Sequence, residues 1–202
     1  MRTTTTTTKI TISKGNRKMG AIPSISLPPI VTCAPGCTCA KDCYAAKTCR
    51  IYKNVKQSYE NNLQALNENR DRYFSEISKA CTNSRFFRYH VSGDILDADY
   101  FDRMVKTAEE NTYTTFLCFT KKYNIVNEYT GAIPRNLVII FSEWPGMDME
   151  NPKNFPIAHV IFKGESVPDE WALCPGNCLE CAGAGAGCWN LQPGESVAFP
   201  KH

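Results

Sequence analysis

The chain predicts an α/β fold built on a parallel sheet, open or partly closed into a (β/α) barrel, with Cys-rich metal-binding loops near both ends. Three observations predict it. Short β-branched and aromatic runs alternate with longer stretches of helical periodicity, an alternation that gives right-handed parallel crossovers. One run, Leu137-Val138-Ile139-Ile140-Phe141, is apolar throughout, as a parallel strand covered on both faces must be. Each run is followed at once by polar, ionisable or glycine residues, and in such sheets ligands sit beyond the carboxyl ends of the strands.

In chain order, residues 1–8 are a threonine tract after Arg2, expected as a low-complexity arm or an edge strand and given no chemistry. The turn Gly15-Asn16-Arg17-Lys18-Met19-Gly20 is bracketed by glycines, and its polar residues read better as a solvated loop than as an anion contact. An apolar run broken by prolines, residues 22–30, is expected as a first short strand that delivers the chain to Cys33. From Asp42 onward Val55, Tyr59, Leu63, Leu66, Tyr73 and Ile77 recur at helical spacing, which predicts a long amphipathic helix in one piece or two, ended by Thr82-Asn83-Ser84. Residues 85–91 are aromatic and β-branched and read as a strand stopped by Ser92-Gly93-Asp94.

The pattern then repeats. Asp97 is placed to cap a helix with Phe101, Met104, Val105 and Ala108 on one face, and Asn111 to stop it. Residues 113–119, 137–141 and 157–162 are the next strands, the last of these being the final one expected. His90 and His159 fall inside strands and read as core or sheet-face residues rather than ligands, and His202 is terminal. The expected organisation is an arm (1–8), an α/β domain carrying the first cysteine group (9–170) and a cysteine-bearing segment packed on it (171–202).

Size and charge narrow the function. A chain of 202 residues suits one domain, and its net charge of +3 is too small to argue for nucleic acid by itself. No apolar stretch approaches the roughly 20 residues that span a bilayer, so no membrane partner is expected. With no apolar leader, the cytoplasm is the expected location.

The cysteines carry the chemistry. Cys33, Cys37, Cys39, Cys43 and Cys49 lie within one stretch of 17 residues, and Cys174, Cys178, Cys181 and Cys188 form a second group near the far end. Thiolates this closely spaced converge on one ion or cluster only if the backbone turns sharply, and Pro35, Gly36, Pro175 and Gly176 permit such turns. In a reducing compartment, disulfides are the weaker reading, and Cys81 and Cys118 read as small buried hydrophobes. Zinc and iron–sulfur clusters both accept four thiolates. The gaps of three, one, three and five residues, then three, two and six, lack the paired knuckles of zinc sites, so an iron–sulfur cluster, 4Fe-4S above all, is favoured, with zinc as the alternative. The glycines at residues 183–187 would let backbone amides approach cluster sulfides.

Around the carboxyl rim of the sheet, Ser92, Gly93, Asp94, Lys121 and Glu143 are the expected cofactor-binding residues. Thr120, Lys122, Ser142, Lys163 and Glu165 are expected on the same rim. Asp94 and Lys121 stand out because strand ends hold position most rigidly.

Taken together, the Gly15–Gly20 turn, the proline-flanked run before Cys33, the Cys39-x-x-x-Cys43-Tyr44-Ala45 segment, Ser92-Gly93-Asp94, Phe119-Thr120-Lys121-Lys122-Tyr123 and a cysteine group closing in Cys188-Trp189 resemble the phage gene product 88 family. The resemblance runs from about residue 9 to residue 189 and implies a phage or phage-derived origin, hence a host cell cytoplasm. A more distant similarity is to radical S-adenosylmethionine enzymes, where a cysteine triplet after the first strand holds a 4Fe-4S cluster and a Gly-Gly-Glu-like segment after the second meets the cofactor. Cys39, Cys43 and Tyr44 fit the first region and Ser92-Gly93-Asp94 the second. The pattern departs at Ala46, where the third cysteine of that family would stand, so Cys33, Cys37 or Cys49 would complete the set.

Three functions follow. One is an iron–sulfur protein in redox or radical-S-adenosylmethionine-like chemistry, meeting a redox or small-molecule partner. The second is a zinc-stabilised phage protein that binds nucleic acid. The third is an interaction scaffold in which metal replaces missing core.

Overall fold

The computed structural model describes residues 7–201; most of the expected arm and His202 lie outside them. Seven strands, β1 (Ser24–Ile25), β2 (Phe86–Tyr89), β3 (Thr115–Thr120), β4 (Leu137–Ser142), β5 (Ile157–Ile161), β6 (Ala172–Leu173) and β7 (Ser196–Pro200), form one sheet. Their order is β1-β2-β3-β4-β5-β7-β6, and every pairing is parallel. The α/β architecture is therefore an open parallel sheet.

Two expectations need correction. Residues 157–162 do not hold the final strand: β7 pairs beside β5, and β6 lies outside it. Periodicity could not reveal β6, which is two exposed residues long, and β7 follows a glycine-rich loop and ends in Pro200, where a missing N–H is tolerated. The helical stretch after Asp42 is three helices, α1 (Tyr44–Ile51), α2 (Lys53–Glu68) and α3 (Arg70–Cys81). Tyr52 and Asn69 are extended between them, and the Asn69 side chain accepts the Arg72 N–H at 2.8 Å, so a local cap outcompetes continuation of the helix.

Three further helices follow: α4 (Ala98–Glu110), α5 (Tyr123–Glu128) and α6 (Cys178–Gly183). Asp97 does cap α4, accepting the Tyr100 N–H at 2.9 Å, and Asn111 closes it. Because the crossovers from β1 to β5 all step the same way across the sheet, the helices between them fall on one face. There Phe87, Tyr89, Phe116, Ile139 and Phe141 meet Tyr73, Ile77, Tyr100 and Met104 in one buried core. Each such side chain contributes about 1.5–3 kcal/mol by leaving water. Cys81 and Cys118 are buried in that core.

The other face is covered by the two ends of the chain. Leu117, Ile140, Ala158 and Val197 pack there against Met19, Ile22, Ala182 and Trp189. In the turn at residues 15–20, Asn16 Oδ1 accepts the N–H groups of Lys18 (3.0 Å) and Met19 (2.9 Å), and the Lys18 carbonyl accepts the Cys178 N–H at 2.9 Å. Gly20 has φ +65°, and a Cβ there would lie 2.8 Å from the Leu179 side chain. Glycine is thus needed where the turn meets α6, and the amino-terminal turn holds the second cysteine group in place.

Candidate functional site

A cavity of about 490 Å³ lies over the second face and the carboxyl ends of the strands. Into its lining come Cys33, Cys37, Cys39 and Cys43 from the loop after β1, and Cys174, Cys178, Cys181 and Cys188 from the segment between β6 and β7. Two groups more than 130 positions apart in the chain therefore share one space. Cys49 does not line it; it is buried on α1. Ser92, Gly93, Asp94, Lys121 and Glu143 line the same cavity, as do Thr120 and Ser142. Lys122, Lys163 and Glu165 do not: the Lys122 ammonium bonds the Leu96 carbonyl at 2.9 Å, and Glu165 accepts the Phe162 N–H at 2.8 Å.

The rim residues are committed to one another. Asp94 is 4% exposed, and its carboxylate accepts the Thr120 hydroxyl (2.6 Å), the Lys121 N–H (2.8 Å) and the Ile95 N–H (2.7 Å). Burial nonetheless pushes the Asp94 carboxyl above the usual range, against the pull of those hydrogen bonds. The Lys121 ammonium donates to Ser142 Oγ at 2.6 Å. Gly93, at φ +81°, passes so close to Thr32 and Leu27 that a Cβ would lie 2.6 Å from the Thr32 hydroxyl.

All eleven cysteines are free. Cys37 and Cys39 Sγ stand 2.7 Å apart; the bond from the Cys39 thiol pulls Cys37 below the usual thiol range, Lys121 adding to the effect, and Cys39 is pushed up in return. Cys43 caps α1, its sulfur accepting the Ala46 N–H at 3.4 Å. Burial pushes Cys33 up to about 11 and Cys188 up to about 12. Gly187, at φ +59°, approaches Cys181 closely, and a Cβ there would lie 3.2 Å from its sulfur.

Thiols are soft donors of the kind that zinc and iron–sulfur groups both take. Among the described residues, however, no three His, Cys, Asp or Glu side chains are already converged on a metal-sized position. The two cysteine loops share a space without being closed on a centre.

Sequence reasoning missed several partners. His159 does lie in β5, but it bonds Glu143 (Nδ1 to Oε2, 2.5 Å) and Ser196 (Nε2 to Oγ, 3.1 Å), with the Trp171 ring stacked on it at 3.7 Å. His90 is not inside a strand: it stands just past β2 at φ +56°, its Nε2 3.1 Å from the Tyr100 hydroxyl. Arg88, on β2, lines the cavity with its guanidinium over the Phe119 ring at 4.9 Å. Alternation along β2 already places Arg88 opposite Phe87 and Tyr89, and that was the available signal.

No helix among the described residues is long and apolar enough to cross a membrane. No curated protein and no solved structure matches the chain. Gene product 88 is the family matched, over residues 1–174, a span that holds the first cysteine group and the rim and stops at the first cysteine of the second group. Strands β1 to β6, the rim and the Cys33–Cys43 loop thus lie within the matched region, β7 lies beyond it, and the chain belongs to the gene product 88 family of phage proteins.

Proposed function

We propose that this protein is an iron–sulfur protein whose two cysteine groups each hold a cluster facing the shared cavity, where a small ligand meets them. The supporting observation is that eight free thiols from the two ends of the chain line one cavity at the carboxyl rim of a parallel sheet. Cys33, Cys37, Cys39 and Cys43 would form the first set, and Cys174, Cys178, Cys181 and Cys188 the second. A bound cluster supplies one-electron transfer. The chain supplies the rest. Lys121 places positive charge beside Cys37 and Cys39, Gly187 lets the backbone close on Cys181, and the apolar packing of Trp189 limits water.

Anaerobic purification followed by iron, sulfide and zinc analysis tests this reading. Brown protein with iron and acid-labile sulfide in equal amounts supports it; colourless protein carrying zinc contradicts it in favour of a zinc-stabilised phage protein. S-adenosylmethionine belongs to the same reading as a ligand of the cavity. Titration of the reduced protein with it by calorimetry decides that branch, and no heat of binding removes it.

A further inference from the structure

The cavity contains two buried polar groups that the chain leaves without a partner. Five side-chain atoms among the described residues are buried with no hydrogen bond, and two of them, Arg88 Nε and Ser92 Oγ, belong to residues that line the cavity. Ser92 is 4% exposed. Native proteins rarely leave such groups unpaired, so each needs an explanation.

The acids of the cavity do not supply one. Asp94 is held by Thr120, Lys121 and Ile95, Glu143 by His159, and Asp42 by Lys201 at 3.0 Å. Arg88 is thus a cation whose neighbouring carboxylates are already committed. Its guanidinium carbon lies 4.9 Å from the Phe119 ring centroid, and its Nε–H has no partner within the chain. Phe119 in turn meets Phe199 edge to face, and Trp189, Leu117 and Val197 continue the apolar wall. A guanidinium edge matches a planar carboxylate in bidentate fashion, and an apolar aromatic wall matches an apolar body behind it.

We infer that the cavity binds a small organic carboxylate with an apolar or aromatic body, its carboxylate anchored by Arg88 and Ser92. This does not rest on iron, because neither residue is a thiol. Arg88 and Cys188 line the same cavity, so a carboxylate held there would share that space with the second cysteine group.

Calorimetric titration of the anaerobically purified protein with benzoate and phenylpyruvate, and with benzyl alcohol as the neutral control, tests the inference. Saturable binding of at least one carboxylate, not shared by benzyl alcohol, is expected. Arg88→Met, which keeps the stem on Phe119, should weaken it at least about tenfold, the loss of a charge-assisted bond, and Ser92→Ala should weaken it less. Thermal melting of both variants reports folding, and Ser92→Ala keeps the test alive if Arg88→Met does not fold. Iron is counted on the same samples. Colourless wild type that still binds benzoate through Arg88 sinks the iron–sulfur reading and leaves this one standing. Equal binding of benzyl alcohol, unchanged affinity in both variants, or no saturable binding by wild type overturns it.

Discussion

Asp94 Oδ2 accepts the backbone N–H of Lys121 at 2.8 Å, and its Oδ1 takes the Thr120 hydroxyl at 2.6 Å, so one carboxylate beyond the end of β2 fastens the end of β3. The strand-end position singled out Asp94 as a ligand contact; the structure gives it a second task. Asp94→Ala strands three donors, the Thr120 hydroxyl and the Lys121 and Ile95 N–H groups, in a buried site and is expected to cost about 3 kcal/mol in urea unfolding. A variant as stable as wild type would mean the carboxylate is free for ligand after all.

Gly93 stands one residue earlier under a different constraint. At φ +81° with a Cβ position 2.6 Å from Thr32 Oγ1 and 2.9 Å from the Leu27 carbonyl, Gly93→Ala combines backbone strain with a clash against main chain. It should lose at least about 2 kcal/mol, read as a lower urea midpoint at unchanged slope.

His90 gives the stability a pH dependence. Burial pushes it down to about 3, with the Lys122 and Arg88 charges adding to the effect, and its neighbours are the Tyr100 hydroxyl and the Cys118 thiol. The unfolded chain takes up the proton from about pH 6.5 downward and the folded one does not until near 3. Its contribution is therefore complete above about 6.5 and is lost as pH falls, at up to about 1.4 kcal/mol per unit. Asp94, pushed upward, works the other way, its contribution being present at low pH and lost as pH rises. Comparison with His90→Asn, which tolerates the left-handed backbone, cancels Asp94. Wild type should lose stability more steeply than the variant between pH 6.5 and 5; parallel slopes would refute a neutral buried imidazole.

Cysteine variants separate ligands from packing. Cys43→Ala and Cys178→Ala should each remove about half of the iron, and Cys49→Ala, outside the cavity, should leave it unchanged. Iron falling to zero in either single variant would indicate one shared centre.

The sequence made β2 to β5 legible because aromatic and β-branched residues alternate there with helical periodicity. It made the rim legible because polar residues follow each strand. The positions of the helix breaks were hidden: at Asn69 a single capping side chain outweighs a continuing apolar stripe, and at Tyr52 the backbone turns extended without any side-chain cap. The bonds of Asp94 to Thr120 and of Glu143 to His159 join different strands, and no local pattern encodes them. Arg88 was passed over because an arginine in an aromatic strand reads as surface until the chain ends are seen folding over that face.

The account depends on the thiols of both groups holding iron, and paramagnetic resonance of the dithionite-reduced, anaerobically purified protein tests it most directly. Iron held by both groups gives a low-temperature signal of a reduced cluster, diminished but not abolished in Cys43→Ala and in Cys178→Ala alike. A spectrum without any cluster signal in protein that carries zinc, or no metal at all, would contradict it.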